Sequence, residues 1–134
     1  MTDFIFIDDQ KNLKIQAFGF NRQELLSNSA LALMTFVYPR QIEISEYEIK
    51  KKIRIKTKDF KSLLTDWLEE LIEISRHQNL CLNYYYFKTA STTEIEAIGY
   101  GRRVKAAIEV RNLIKPIKLV QTAEAFGIIA NFKI

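Results

Sequence analysis

The sequence predicts an α+β domain, a two-layer sandwich with two main helices on one face of a largely antiparallel or mixed sheet. Three observations carry this. Apolar residues recur at helical spacing after residue 21 and again over residues 60–72. From residue 80 onward the chain consists of short alternating runs rich in β-branched and aromatic residues, so helices and strands are segregated along it. Only four glycines and two prolines punctuate the 134 residues, with no Gly/Ser/Pro-rich linker, so residues 1–134 read as one domain.

The elements follow in order. Asp8-Asp9-Gln10-Lys11-Asn12 is made of turn-favouring residues and predicts a hairpin turn between two strands. The second of these runs over residues 13–18, where Leu13, Ile15 and Ala17 alternate with Lys14 and Gln16, and Gly19 closes it. Asn21, with Glu24 three residues on, has capping-box spacing and opens a first helix through Leu26, Ala30, Leu33, Met34 and Val37. Tyr38-Pro39 ends it, because the residue before proline is pushed out of the α region. Ile42 to Ile55 reads as one or two strands, with Ile49, Ile53 and Ile55 on one side. The second helix places Phe60, Leu63, Leu64, Trp67, Leu68, Leu71 and Ile72 in one stripe and Asp59, Asp66, Glu69, Glu70 and Glu73 outside it. A turn at residues 76–79 precedes strands over 80–88, 93–100, 104–113 and 126–134, with a further short strand at 117–121.

Composition excludes several chemistries. One cysteine, Cys81, forms no internal disulfide, and with one histidine, His77, the chain assembles no Cys/His zinc site. His77 falls in the predicted turn, a poor place for a catalytic base, and neither a phosphate-binding glycine loop nor an H-E-x-x-H or G-x-S-x-G motif is present. The reading is therefore of a protein that is not an enzyme. The first residues lack a signal-peptide pattern and no apolar run approaches ~18 residues, so the expectation is a cytoplasmic protein without membrane contact.

The formal charge of +4 is unevenly placed. Lys50, Lys52, Arg54, Lys56 and Lys58 occupy every second position, so on a regular strand all five point one way, roughly 6.6–6.8 Å apart. That row is a candidate for RNA or phosphate contact, joined by Arg102 and Arg103; the alternative is a solvated row of lysines guarding an edge strand. Tyr84, Tyr85 and Tyr86 are either core and surface packing or stacking platforms for bases. Asp8 and Asp9 are weak candidates for a metal ion, on the same residues that read as a turn.

Two segments carry a wider resemblance. Gly19-x-x-x-x-Glu24-Leu25-Leu26-x-Asn28-x-Ala30-Leu31-Ala32-Leu33-Met34, followed by Lys58-Asp59-Phe60-x-x-Leu63-Leu64-x-Asp66-Trp67-Leu68-x-Glu70-Leu71, is similar in order and spacing to the archease family, and Val104-Lys105-Ala106 matches a later motif of that family. The resemblance implies a small accessory protein of the tRNA-splicing RNA ligase that joins 2′,3′-cyclic phosphate to 5′-hydroxyl ends. Such a protein promotes guanylylation and turnover of the ligase in tRNA splicing or RNA repair; a chaperone-like or methyltransferase-modulating role is also proposed for the family. The implied partners are an RNA ligase and RNA. The positions carried over as functional are Lys105, Asp66 and Asn12.

The departures are specific. The family's first turn reads His-Thr-Ala-Asp, whose aspartate helps bind a divalent metal such as calcium; here it reads Asp9-Gln10-Lys11-Asn12. The family's C-terminal Asp-Ile is Lys133-Ile134. Two acidic ligands are thus replaced by an amide and an ammonium, which predicts that no family-type metal and no cofactor is bound. Lys133 is instead expected to pair with Asp8 or Asp9. The histidine that follows the Val-Lys-Ala motif in the family is missing from residues 104–110, and the polar loop before it is compressed to Gly101-Arg102-Arg103. The alternative function is a divergent module of the same fold that binds protein or RNA and has lost metal-dependent activity.

Overall fold

The computed structural model describes residues 3–39 and 48–134. Seven strands and two helices run in the order β1 (Phe4–Asp8), β2 (Asn12–Gly19), α1 (Arg22–Val37), β3 (Ile49–Lys56), α2 (Phe60–Gln78), β4 (Leu80–Ala90), β5 (Glu94–Arg103), β6 (Asn112–Gln121) and β7 (Phe126–Lys133). The α+β class holds, and all strand pairs are antiparallel. The strands form two sheets, one in the order β1-β2-β7-β6 and one in the order β3-β5-β4. Ile42 and Ile44, read as part of a strand, lie outside the described residues.

Local chemistry sets both helices. Asn21 adopts extended backbone and its Oδ1 accepts the Glu24 N–H at 2.8 Å, while the Glu24 carboxylate receives the Asn21 side-chain amide at 3.2 Å. Asp59 caps α2 by accepting the Ser62 N–H at 2.7 Å, and Asn79 in the left-handed region (φ 53°) ends it. Helix α2 therefore reaches Gln78, and the expected turn at 76–79 is its last turn. Arg76 and His77 suit that position because positive charge is favoured at a helix C-terminus.

Helix α1 is buried nearly all round: Leu25, Leu26, Ser29, Ala30, Ala32, Leu33, Met34, Phe36 and Val37 are all inaccessible. It packs on β1, β2 and β7 of one sheet and on β4 of the other, while α2 packs on β6 and on β3, β4 and β5. The helices thus share one core with the inner faces of both sheets, Leu13, Ile15, Ile128, Ala130 and Phe132 from the first and Ile53, Leu82, Tyr85, Phe87 and Ile95 from the second. Trp67 is fully buried where these layers meet. Its indole N–H donates to the Leu26 carbonyl of α1 at 3.0 Å, and its ring meets Tyr85 at 5.3 Å and Phe87 at 5.7 Å.

The expected strand over 104–113 is not formed. Residues 104–111 alternate in sequence, but their backbone groups go elsewhere: the Val104 N–H to the Asn79 carbonyl, the Ala107 N–H to the Val37 carbonyl and the Arg111 N–H to the Lys133 carbonyl. The segment is a loop pinned across the ends of both helices. The short strand expected at 117–121 is the second half of β6, whose pairing with β7 is interrupted between Ile114 and Lys118, around Pro116, which has no N–H to give a ladder. Gly101-Arg102-Arg103, expected as a loop, belongs to β5. At Gly101 a side chain would collide with the Cys81 carbonyl, so the close approach of β4 and β5 there requires glycine.

Two outcomes test this account. Trp67→Phe, which removes the N–H but keeps an aromatic ring, is expected to lower unfolding free energy in urea by about 1–3 kcal/mol, the usual cost of disturbing a buried hydrogen bond. The backbone N–H of Ser62 also holds the Asp59 carboxyl below its ordinary pKa. A carboxylate with a lowered pKa contributes stability in full above its unfolded value and loses it as pH falls through the folded value. Asp59→Asn keeps the acceptor without the charge, so the acid limb of a plot of Tm against pH should flatten.

Candidate functional site

Lys105 stands on the loop that crosses the helix ends. It lines a cleft of about 190 Å³ with Ser75, Arg76, Asn79 and Glu109, over an apolar floor that includes Leu33, Met34, Val37 and Ile72. The C-termini of α1 and α2 converge here, and their end carbonyls, which carry partial negative charge, are met by the loop: Val37 accepts the Ala107 N–H and Asn79 the Val104 N–H. Basic groups answer them. The Arg103 guanidinium donates to the Gln78 carbonyl at 2.8 Å, and Arg76 donates to the Arg111 carbonyl at 3.0 Å while pairing with Glu109 at 3.1 Å. Beneath the cleft, the Tyr38 hydroxyl meets Ser75 Oγ at 2.7 Å and donates to the Leu80 carbonyl at 3.3 Å. Burial raises the pKa of that phenol.

Lys105 does not share this cleft with the other positions that the resemblance implies. Asn12 and Lys133 are direct cross-strand partners at the end of β2 and β7, with Asn112 of β6 on the other side of Lys133. Arg111 links the two places: its N–H binds the Lys133 carbonyl at 2.8 Å and its own carbonyl accepts from Arg76. Asp66 stands apart, about 15 Å along α2 from Arg76 at the ordinary helical rise. It lines a groove with Glu69, Glu70 and Glu73 opposite Arg54 and Lys56.

The end that holds Asn12 and Lys133 does not fit a hard divalent cation. Its side chains are two carboxamides and an ammonium, and among the described residues no group of three His, Cys, Asp or Glu side chains is placed to hold a metal ion. Asp9 is committed to the turn itself, its Oδ1 accepting the N–H groups of Asn12 at 2.8 Å and Lys11 at 3.1 Å. Those two bonds hold its pKa below the ordinary value. The expected pairing of Lys133 with Asp8 or Asp9 is not made, because the Asp9 carboxylate turns inward onto its own loop and Lys133 faces Asn12 and Asn112.

The basic row divides. Lys50, Lys52, Arg54 and Lys56 are exposed on the outward face of β3, whereas Lys58 lies beyond the strand in the turn that delivers Asp59 to its cap. Arg102 points outward from β5 and pairs with Glu48 at 3.5 Å, so it and Arg103 serve different neighbours. Tyr85 is core, with its hydroxyl donating to the Leu82 carbonyl at 2.7 Å, while Tyr84 and Tyr86 face out. Sequence reading missed Arg76, Glu109 and Arg111, whose partners are distant in the chain and which carry no motif. It also missed Tyr100, although the alternation of β5 sets Tyr100 on the side opposite Ile95 and Ala97.

The fold and the Val-Lys-Ala loop across the helix ends define a family, and comparison identifies it. The sequence pattern of the Archease protein family matches residues 4–122, so the chain belongs to the archease family. A protein archease of Methanosarcina barkeri is 36% identical over 67 residues, which span 50% of this chain and 44% of that protein. One from Methanothermobacter thermautotrophicus is 25% identical over 120 residues, covering 87% of this chain and 84% of that protein. Two solved structures share the fold. The solution structure of Protein 1598 of Methanobacterium thermoautotrophicum superposes with a TM-score of 0.66 at 21% identity, covering the whole of both chains. The crystal structure of a Thermotoga maritima archease, described as a possible chaperone, gives 0.63 at 15% identity, covering 96% of this chain and 94% of that one.

A metal titration tests the donor set. Millimolar calcium or magnesium is expected to leave Tm unchanged, because a ligand that does not bind the native state cannot raise its stability. Restoring carboxylates with Asn12→Asp and Lys133→Asp together should produce a calcium-dependent rise, measured by differential scanning fluorimetry.

Proposed function

We propose that this protein is an accessory factor rather than an enzyme. It docks on an RNA ligase of the kind that joins 2′,3′-cyclic phosphate to 5′-hydroxyl ends, and promotes guanylylation and turnover of that ligase in tRNA splicing or RNA repair, without a resident metal. The observation that carries this reading is the position of Lys105, the retained polar residue of the Val-Lys-Ala motif, in an open cleft where both helices end. A lysine there is held by the loop on either side of it and presents its ammonium to whatever enters the cleft.

The groups that could do chemistry are otherwise engaged. Burial pushes the Cys81 thiol up to about 11, which leaves it without the thiolate a nucleophile needs. His77 is exposed on the last turn of α2 and pairs with Glu73 at 3.0 Å, with no nucleophile between them. Contact with a partner is the function that remains natural to such a surface.

A second reading, a binding module of this fold that no longer serves a ligase, is favoured by the amide and ammonium at Asn12 and Lys133. One experiment separates the two: transfer of labelled GMP to a cognate ligase, followed with this protein present, in chelator and in calcium. Stimulation that persists in chelator and falls several-fold with Lys105→Ala supports the accessory role. Absence of both stimulation and binding assigns the chain to the second reading.

A further inference from the structure

We propose that the outward face of the β3-β5-β4 sheet binds single-stranded nucleic acid. The register places the residues of this face in rows across the strands. Lys50 stands opposite Tyr100, which stands opposite Tyr84; Lys52 stands opposite Ile98, which stands opposite Tyr86. Each row therefore begins with a cation on β3, which among the described residues pairs only with β5, and ends with a tyrosine ring on β4. Successive rows are about 6.8 Å apart along the strands, near the rise between nucleotides of an extended single strand, and neighbouring strands are about 4.8 Å apart. One cation for a phosphate and one ring for a base, repeated at that interval, is the pattern that sheet surfaces use for unpaired bases.

The side chains are arranged accordingly. Tyr84 and Tyr86 are 53% and 55% exposed, two neighbouring rings on the outward side of β4. The Tyr84 and Tyr100 rings are 5.8 Å apart between centroids, and Lys50 Nζ lies 5.8 Å from the centre of the Tyr100 ring. Charge complementarity selects the occupant. The face carries Lys50, Lys52, Arg54, Lys56, Lys88 and Arg102 against Glu48, Glu94 and Glu96, with Glu48 paired to Arg102 at one end and the other two carboxylates at the opposite end. There Glu96 stands opposite Arg54 and reaches Lys88 at 4.0 Å, and Glu94 stands opposite Lys56. The ligand is accordingly seated on the Lys50 and Lys52 rows, which hold no carboxylate and lie between the Glu48–Arg102 pair and Glu94 and Glu96. A guard of lysines on an edge strand accounts for the cations but not for the half-exposed tyrosines behind them.

The inference does not depend on the ligase reading, since it concerns a different face from the Lys105 cleft, and Lys105→Ala leaves it untouched. The test is fluorescence anisotropy with a labelled oligouridylate, with the same length of RNA duplex as the comparison. Two phosphate contacts predict a Kd on the order of 10–100 µM and a slope of log K against log salt of about −1.4. Lys50→Glu with Lys52→Glu should weaken binding at least about tenfold and flatten the slope, as removing phosphate contacts does. Tyr84→Ala with Tyr86→Ala should cost about tenfold and leave the slope in place. Lys14→Glu with Lys118→Glu makes the same charge change on the outer face of the other sheet and should retain full affinity. Circular dichroism and Tm confirm that each variant is folded. Equal binding of duplex, an equal loss in the control pair, or indifference to the tyrosine pair would overturn the proposal. So would the absence of RNA binding together with capture of a protein by this face.

Discussion

The hydrogen bond from the Trp67 indole to the Leu26 carbonyl ties the architecture together. It joins the two helices at a point from which the same ring reaches Tyr85 and Phe87 of the second sheet, so one side chain spans three layers. A buried donor must find an acceptor, and the indole shares the Leu26 carbonyl with the Ser29 hydroxyl, which reaches it at 3.0 Å. The constraint extends outward. With α1 held against α2 at Leu26, its remaining faces meet β2 on one side and β4 on the other, which is why this helix is apolar nearly all round whereas α2 keeps an acidic outer face.

The candidate sites are set at the periphery of that core, and they do not converge. The cleft of Lys105 gathers two helix C-termini under basic residues, the end of the first sheet brings Asn12 beside Lys133, and the outer face of the second sheet aligns cations with tyrosines. Each has a different chemistry. The first is a cationic socket with an apolar floor, the second sets an amide beside an ammonium, and the third is a flat basic-aromatic surface.

Much of this was legible in the sequence, for identifiable reasons. The cap Asn21, the stripe on α2 and the stop at Tyr38-Pro39 are short-range chemistry and appear as read, whereas Asp59, read only as lying outside the stripe, is the cap of α2. Residues 104–111 misled because alternation reports only which side chains could share a face, whereas a strand also needs a neighbour for its backbone; here the helix ends took those hydrogen bonds. The division of the strands between two sheets depends on pairings such as β2 with β7, for which alternation carries no signal. The same limit hid the basic-aromatic face. The lysine row was evident from spacing alone, but its alignment with Tyr100, Tyr84 and Tyr86 is a matter of register. The family positions were found by resemblance, and their separation into three places needed the coordinates.

The pairing of β2 with β7 has a kinetic meaning as well. It brings residues 12–19 against residues 126–133, so it closes nearly the longest loop the chain can make, whereas the β4-β5 hairpin closes across a few residues. Loop-closure entropy favours the short connection first, and contacts of high sequence separation are gained late. The second sheet, with α2 packed on it, is therefore the natural early unit, and the first sheet completes the molecule. The Lys105 loop is thereby anchored from two stages of assembly, to the helix ends through Val104 and Ala107 and to the closing strand β7 through Arg111.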